Sequence, residues 1–135
     1  MDLNPTLSDG SLRLRPLVAG DLPALSLAAS NPQIWAGHPS KNRYESEIFA
    51  DYFAFLLASG GTLAIFDGDR MIGCSRFYIP AEYPDQLSIG FTFIHCDYWG
   101  GDTNRAIKKL MLGHAFDTAD AVWFHIDPTN IRSQK

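Results

Sequence analysis

Two consecutive glycines between a strand-like and a helix-like segment form the most distinctive candidate site in the sequence. Residues 96–104 read CDYWGGDTN, and Gly100 and Gly101 stand just ahead of a helical pattern that begins at Thr103. Glycines at such a junction let backbone N–H groups approach a ligand, and a helix N-terminus adds unpaired N–H groups and the positive end of its dipole. The junction would suit an anion, most naturally a pyrophosphate, although the glycines alone favour a plain tight turn.

Spacing excludes several other kinds of site. No Gly-Lys-Ser/Thr follows the glycines, as it would in a Walker-type loop, and the G-x-G-x-x-G spacing of a dinucleotide fingerprint is missing. The sequence has no G-x-S-x-G elbow and no readable Ser-His-Asp or Cys-His order. The histidines and cysteines lack metal-ligand spacing, so we predict no metal site. These residues are His38, His95, His114, His125, Cys74 and Cys96.

Two residues beside the junction are candidates for catalysis. His95 ends a strand-like segment close to the glycines, and an imidazole that titrates near neutral pH can act as a base. Cys96 is a candidate activated thiol at a helix N-terminus. For both, the sequence favours a plainer interpretation, a hydrogen-bonded histidine at a strand end and an unreactive thiol. Four aromatic residues could line a pocket, although such residues belong more often to a core. They are Trp35, Tyr78, Phe91 and Trp99.

Length and composition limit the class of protein. A chain of 135 residues suits one domain, and its 46% hydrophobic and 19% charged residues exclude a disordered chain and a coiled coil. The net charge of 11 − 15 = −4 argues against nucleic acid and anionic membranes as partners, because both require a cationic face. The polar first ten residues and the lack of an apolar run of ~20 residues predict neither a signal peptide nor a membrane span. Two cysteines without a disulfide framework favour the cytoplasm.

The elements that must position the junction follow from hydrophobic periodicity. The patterns predict a strand, two helices, three strands, a third helix, a further strand and a helical turn. That order predicts an α+β, or mixed α/β, fold with helices on the faces of a sheet. The predicted strands are Ser11–Leu17, Thr62–Phe66, Arg70–Ile79, Gln86–His95 and Ala121–Ile126; the helices are Leu22–Ala29, Glu45–Ala58 and Thr103–Thr118; the helical turn is Ile131–Lys135.

Finer features are also readable. Asp21 is a plausible N-cap for the first helix, Asp67 and Gly68 indicate a hairpin turn, and Gly90 indicates a bulge or a close approach of two backbones. The predicted apolar faces of the two longer helices are Ile48, Tyr52, Phe55 and Leu56, and Ala106, Ile107, Leu110, Met111, Ala115 and Phe116.

Several segments have a distinctive order. They are LRLRPL at 12–17, SIGFTFI at 88–94, YWGG at 98–101, NRAIKKLMLGHAF at 104–116, VWFHI at 122–126 and NIRS at 130–133. Together they resemble the GCN5-related N-acetyltransferases (GNAT), in particular the ribosomal-protein N-terminal acetyltransferase branch, over nearly the whole chain. The resemblance implies a central mixed, mostly antiparallel sheet flanked by helices.

The resemblance also implies an activity. Members of this family transfer an acetyl group from acetyl-coenzyme A (acetyl-CoA) to a primary amine, which here would belong to a small molecule or a protein N-terminus. A neutral amine attacks the thioester directly, backbone amides stabilise the oxyanion, and an acid protonates the leaving thiolate. The implied cofactor-binding residues are Phe93, Ile94, His95, Trp99, Gly100, Gly101, Asp102, Thr103, Asn104, Asn130 and Ser133.

The chain departs from the family pattern in three places. Asp102 removes a small residue from the turn and brings negative charge close to the phosphates, unless it serves as a helix N-cap. Ser88 stands where many relatives carry a glutamate base, so the catalytic residues stay unassigned, with His95 and Ser88 as candidates. The sequence ends at Lys135, before the helix and the two strands that complete the family fold. We therefore expect one domain over residues 1–135, truncated at its C-terminus.

These departures leave alternatives open. One is a catalytically impaired coenzyme A-binding or protein-interaction module with the same fold. Another is a plain nucleotide-phosphate binder. Missing strands would also expose a sheet edge that a partner subunit could cover, which leaves a homodimer open.

Overall fold

The computed structural model describes residues 3–35, 42–79, 81–82, 87–99 and 101–116, and the backbone of residues 122–124. These residues form a six-stranded sheet whose strands lie side by side in chain order, and neighbouring strands are antiparallel except for the last two, which are parallel. The predicted α+β fold with a mixed, mostly antiparallel sheet is confirmed. The strands are β1 (Leu7–Asp9), β2 (Leu12–Pro16), β3 (Thr62–Asp67), β4 (Arg70–Tyr78), β5 (Leu87–Ile94) and β6 (Val122–Phe124).

Helices cover both faces of the sheet, because strand side chains alternate between faces and both sets are largely apolar. One core cluster joins the first three helices to Phe66 and Phe93, and the other joins the fourth helix to Ile65 and Ile89. The helices are α1 (Leu22–Ala28), α2 (Pro32–Trp35), α3 (Ser46–Ser59) and α4 (Thr103–Phe116), with short 3-10 turns at Ala19–Asp21 and Cys96–Tyr98.

The predicted helices and strands lie close to where periodicity places them, with two additions. β1 and α2 were not predicted, because elements of three and four residues are too short to show a period. The predicted hairpin is confirmed: β3 and β4 pair across a turn in which Gly68 has φ of 60°, a conformation that glycine adopts without a steric cost. The predicted helical turn at 131–135 lies outside the described residues.

The predicted apolar faces of the two long helices need correction. On α3 the buried stripe is Phe49, Phe53 and Leu56, whereas Phe55 is 47% exposed. That stripe follows the i, i+4, i+7 spacing of a single helix face, and Phe55 lies beside it. On α4, Phe116 is 52% exposed because it is the last residue of the helix, beyond the stripe that packs on the sheet.

Asp21 precedes α1 as predicted, but its side chain does not cap that helix. Its carboxylate accepts hydrogen bonds from both Nη atoms of Arg15, over 2.9 and 2.8 Å, and from the backbone N–H of Val18 over 2.9 Å. The carboxylate therefore ties the end of β2 to the segment that enters α1.

β5 carries a bulge at Phe91, one residue after the glycine at which the sequence indicates one. The register with β4 shifts between Cys74 and Arg76, and Phe91 adopts φ of 53°, in the left-handed region that non-glycine residues rarely occupy. The extra residue also changes the alternation of side chains. Ile89 and Ile94, an odd number of positions apart, both pack in the α4-side core.

Candidate functional site

The second half of β5 has one open edge. β6 pairs with β5 from Leu87 to Ile89, and beyond Ile89 no strand among the described residues continues along that side. The backbone N–H and C=O groups of alternate residues in this part of β5 therefore point away from the sheet. Such an edge can form further hydrogen bonds with an extended chain or an amide-bearing ligand.

The alternating direction of backbone groups along β5 determines which predicted residues can form hydrogen bonds at the open edge. The backbone N–H of His95 donates to the carbonyl oxygen of Ile72 on β4 over 2.7 Å. Because successive residues of a strand direct their backbone groups to opposite edges, those of Phe93 point to β4 as well. Ile94 lies between them, and its backbone faces the opening, where its carbonyl oxygen accepts a hydrogen bond from Nε1–H of Trp99 over 3.2 Å.

The turn that follows β5 is fixed by side-chain contacts. Nδ1 of His95 accepts a hydrogen bond from the backbone N–H of Asp97 over 3.0 Å, and a carboxylate oxygen of Asp97 lies 3.4 Å from Nη2 of Arg70. The Cys96 thiol accepts a hydrogen bond from Nδ2 of Asn31 over 3.1 Å. The atoms of His95, Cys96 and Asp97 that could bind a metal lie within 4.8 Å of one another. Each of these side chains already takes part in one of the hydrogen bonds or ion pairs described above.

The start of α4 offers hydrogen-bond donors directly after this turn. The backbone N–H of Ala106 donates to the carbonyl oxygen of Asp102 over 2.9 Å. The N–H groups of Thr103, Asn104 and Arg105 come earlier than this bond and belong to the first turn, which has no acceptors within its own helix. A Cβ at Gly101 would meet no atom within 4 Å, so packing does not require glycine there.

Asp102 places a negative charge at this helix end. Its side chain is 96% exposed, and its carboxylate lies 4.0 Å from Nη1 of Arg105. It makes no hydrogen bond with the residues that the structure describes. The Asp102 side chain therefore does not act as an N-cap, and its charge can interact with any anion bound at the start of the helix.

The two candidate catalytic residues lie at opposite ends of β5. Ser88 is completely buried, in the half of β5 that pairs with both Tyr78 and Trp123. It is seven positions away from His95, which corresponds to about 23 Å along a strand. The two residues therefore cannot act on the same atom, and His95 is the one next to the open edge.

Some predicted residues cannot be placed. Gly100, Asn130 and Ser133, together with His38 and His125, lie outside the described residues. The structure brings Ile94 and Trp99 into direct contact and sets the start of α4 immediately after them. It turns the backbone of Phe93 away from the opening.

A group of aromatic residues lies on the α3 side of the bulge. The sequence named Tyr78 and Phe91 among the residues that could line a pocket, but it placed Tyr52 and Phe55 on a core face and did not single out Arg76. Four rings follow one another there, Tyr52, Phe55, Phe91 and Tyr78, with successive centroids 6.4, 5.8 and 5.3 Å apart; we call them the aromatic strip. The guanidinium carbon of Arg76 lies 5.7, 5.2 and 5.2 Å from the centroids of Phe55, Tyr78 and Phe91. The one sequence signal was a charged residue, Arg76, in the interior of a strand, directly before Phe77.

Burial shapes the protonation of this group. It raises the pKa of the Tyr52 hydroxyl well above its usual range, with the nearby Cys74 thiol as a second cause. Burial also raises the pKa of Tyr78 and lowers that of Arg76. Both hydroxyls therefore stay protonated at neutral pH, and the guanidinium stays charged because its ordinary pKa is so high.

Comparison with known proteins decides the family. A family model described as an acetyltransferase (GNAT) domain matches residues 11–135. The chain belongs to the GNAT acetyltransferase family. The resemblance stated from the sequence is thereby confirmed, and with it the general activity of the family, acyl transfer from acetyl-CoA. A search of curated proteins found no match.

Solved structures agree with this assignment. A protein of T. thermophilus described as an acetyltransferase is 28% identical, with a TM-score of 0.75 over 99% of this chain and 73% of that one. RimJ of Mycobacterium smegmatis, in complex with CoA-disulfide, is 20% identical, with a TM-score of 0.67 over 97% of this chain and 70% of that one. RimL, a ribosomal L7/L12 α-N-protein acetyltransferase in complex with coenzyme A, is 16% identical, with a TM-score of 0.66 over 84% and 70%. RimJ and RimL show that the GNAT fold is shared.

One negative finding concerns membranes. Within the described part of the chain, no helix has the length and apolar character needed to cross a bilayer.

Proposed function

We propose that this GNAT domain, taken as residues 1–135, transfers the acetyl group of acetyl-CoA to a primary amine of a small molecule or a protein N-terminus. The observation that carries the proposal is the open second half of β5, followed within ten residues by the start of α4 at Thr103. An open strand edge and a helix N-terminus provide backbone donors for the two kinds of group in acetyl-CoA, the amides of its arm and its pyrophosphate.

The residues present fit acetyl-CoA at both places. The backbone of Ile94 faces the opening, where it can pair with an amide of the arm. The first-turn N–H groups at Thr103 and Asn104 suit a pyrophosphate, which also gains from the positive end of the helix dipole. Asp102 is the exception, because its exposed carboxylate repels phosphate. Gly100, Asn130 and Ser133 stay predicted contacts from the family resemblance.

Acetyl-CoA, when bound, supplies an activated acyl thioester. The chain has to orient an uncharged amine towards it and offer N–H donors where negative charge develops on the acyl oxygen. The burial of Ser88 argues against its use as a base. His95 lies next to the open edge, and its Nδ1 accepts a backbone N–H, so in the neutral ring the proton is on Nε2 and the side chain is placed to donate a proton rather than to accept one. The base is unassigned.

The location and the binding partners are part of the same proposal. Free thiols at Cys74 and Cys96 support a reducing compartment, for which we propose the cytoplasm. The partners are acetyl-CoA and the amine acceptor, and a homodimer stays open as a further possibility.

A second candidate function is a coenzyme A-binding or protein-interaction module without turnover. The exposed charge of Asp102 and the buried serine at the position of the family's usual base favour it. Acetyl transfer to any amine would exclude this alternative, whereas saturable binding without transfer would support it.

Calorimetric titration with acetyl-CoA tests the cofactor half of the proposal. We expect saturable binding with one site per chain, a raised melting temperature, and displacement by coenzyme A but not by ATP. Displacement by ATP would support a plain nucleotide-phosphate binder. If millimolar acetyl-CoA produced no binding heat and no increase in melting temperature, that result would contradict the proposal.

A further inference from the structure

The aromatic strip combines exposed apolar surface with a cation. Phe55 is 47% exposed and Phe91 is 37% exposed, which is high for large apolar side chains in a small protein. They lie side by side, with ring centroids 5.8 Å apart, and Tyr78 extends the surface beyond Phe91. The exposed rings therefore form one continuous surface at which a second apolar group can pack.

Arg76 is held in place beside these rings, and most of its donors have no acceptor among the described residues. Its Nε donates to the carbonyl oxygen of Gly60 over 2.9 Å, and its guanidinium is half-buried against three of the rings. A guanidinium has five N–H donors in a rigid plane. The described residues accept only the bond from Nε, so the two Nη groups present a planar fork that matches the two oxygens of a carboxylate.

No carboxylate of the described chain neutralises Arg76. The described ion pairs of arginine side chains join Arg15, Arg70 and Arg105 to aspartates, and Arg76 is in none of them. Apart from burial, the groups that affect its pKa are the hydroxyls of Tyr78 and Tyr52. A half-buried cation without an acidic partner, in a chain of net charge −4, is an electrostatic complement to an external anion.

The position of the strip connects it to the acceptor. Phe91 is the bulge residue, two positions beyond the last pair between β5 and β6. A molecule that packs on the strip therefore lies next to the part of β5 where its edge opens. The connection between the strip and the acceptor rests on the proposed function, in which acyl transfer takes place at the open edge.

We propose that Arg76, Phe55, Tyr78 and Phe91 bind a carboxylate attached to an apolar or aromatic group, and that this carboxylate belongs to the acceptor amine. The guanidinium forms charge-assisted hydrogen bonds with the carboxylate, and the rings of Phe55 and Phe91 pack against the apolar group. The acceptor class is thus an amine with an apolar body and a negative charge.

Binding of two unreactive probes tests the site without any transfer. 3-Phenylpropionate and its neutral amide, 3-phenylpropionamide, differ only in the charged group, and neither carries an amine. We expect the carboxylate to bind roughly tenfold more tightly than the amide, because hydrogen bonds to an ionised group are about twice as strong as neutral ones. Titration should also shift the Nε–H resonance of Arg76.

Three variants separate recognition from folding. In Arg76→Gln the preference for the carboxylate should disappear, while in Arg76→Lys, which keeps the charge without the planar fork, it should be reduced. Arg13→Gln is the matched control, because the Arg13 guanidinium also lies over a ring, 5.0 Å from the centroid of Phe66, but on β2. Thermal melting of each variant reports whether it is folded. Equal binding of the two probes, or a preference that survives in folded Arg76→Gln, would overturn the proposal.

Transfer assays with phenylalanine and phenylalaninamide test the link to the acceptor. We expect the carboxylate-bearing amine to have the lower KM, and Arg76→Gln to abolish the difference without changing the affinity for coenzyme A. Equal KM values in the wild-type chain would overturn the assignment to the acceptor. Carboxylate-selective binding without acetylation of any amine would refute both the acceptor assignment and the proposed function, while the anion site itself would stand.

Discussion

The indole Nε1–H of Trp99 donates to the carbonyl oxygen of Ile94 over 3.2 Å, and so ties the turn ahead of α4 to the open edge of β5. The hydrogen bond spans five residues and joins the two features that the proposed cofactor site requires, a strand edge and a helix N-terminus. Trp99 also packs against both core clusters, so its indole ring is fixed in orientation.

We predict that Trp99→Phe weakens coenzyme A binding several-fold and lowers the free energy of unfolding by about 1 kcal/mol, the usual net contribution of one hydrogen bond. The phenyl ring keeps part of the packing but has no N–H donor. Trp35→Phe is the matched control, because Nε1 of Trp35 donates over 2.9 Å to the backbone oxygen of Ala29, which does not belong to β5. Calorimetry and urea unfolding measure both effects. If the two variants lost coenzyme A affinity equally, the Trp99 bond would have no special role in the site.

Asp102→Asn should bind coenzyme A several-fold more tightly than the wild-type chain. The substitution removes a negative charge from the N-terminus of α4 by replacing the carboxylate with an amide of the same shape, and the gain should shrink as salt screens the charge. Calorimetric titrations at low and high salt measure it. Asp69→Asn, in the hairpin between β3 and β4, changes the net charge equally and should leave the affinity unchanged. Unchanged or weaker binding by Asp102→Asn would place the phosphates away from this helix end.

Asp21 should make stability depend on pH. Burial, the largest single influence, raises its pKa, but the hydrogen bonds from Arg15 and the Val18 amide outweigh burial, so that the pKa lies below its ordinary value of 3.8. A group with a lowered folded-state pKa stabilises the protein above its unfolded-state value, and this contribution is lost as pH falls through the folded-state pKa.

Asp21→Asn should therefore destabilise the protein at pH 7 by about 2 kcal/mol, as expected for hydrogen bonds to a charged group. The difference from the wild-type chain should decrease below about pH 4. Urea unfolding across this range measures it. The double variant Arg15→Gln with Asp21→Asn supplies the control, because it should lose less than the sum of the two single variants. A difference that is constant with pH would show that the ion pair contributes nothing.

The bulge at Phe91 reverses an ordinary preference for alanine over glycine. With φ of 53°, an alanine at this position carries a steric cost that glycine does not. Phe91→Gly should be more stable than Phe91→Ala by about 1 kcal/mol, the lower end of the left-handed penalty. At Arg13, in the extended strand β2, the same pair of substitutions should favour alanine. Urea unfolding of the four variants checks which residue is more stable at each position. If the alanine variant were the more stable one at both positions, Phe91 would not have a left-handed conformation.

The fold was largely predictable from the sequence, because period-2 and period-3.6 patterns depend on neighbours along the chain. The aromatic strip was not predictable in this way. Tyr52 and Phe55 share a helix pattern with true core residues, and only tertiary contacts show that Phe55 is half-exposed and lies beside Phe91. The bulge also changes which residues of β5 share a face, so Ile89 and Ile94 meet in one core although alternation would separate them.

The same distinction applies to the candidate site, of which only part could be predicted from neighbouring residues in the sequence. The junction from Trp99 to Thr103 could be predicted because the glycines and the helix pattern are adjacent in sequence. The orientation of Phe93, whose backbone faces β4, could not, because it depends on the strand pairing. A charged residue inside β4 was the only sequence signal at Arg76, and it did not reveal a role, because that role depends on three rings from α3, β4 and β5.

The most direct test of the account is acetyl transfer itself. The chain would be incubated with acetyl-CoA and a panel of primary amines and peptide N-termini, including carboxylate-bearing amines and their amides. Mass spectrometry would detect acetylated amine, and a thiol reagent would measure released coenzyme A. We expect acetylated amine and free coenzyme A in equal amounts, with the carboxylate-bearing amines acetylated best. Bound acetyl-CoA with no acetylated amine from any member of the panel would contradict it.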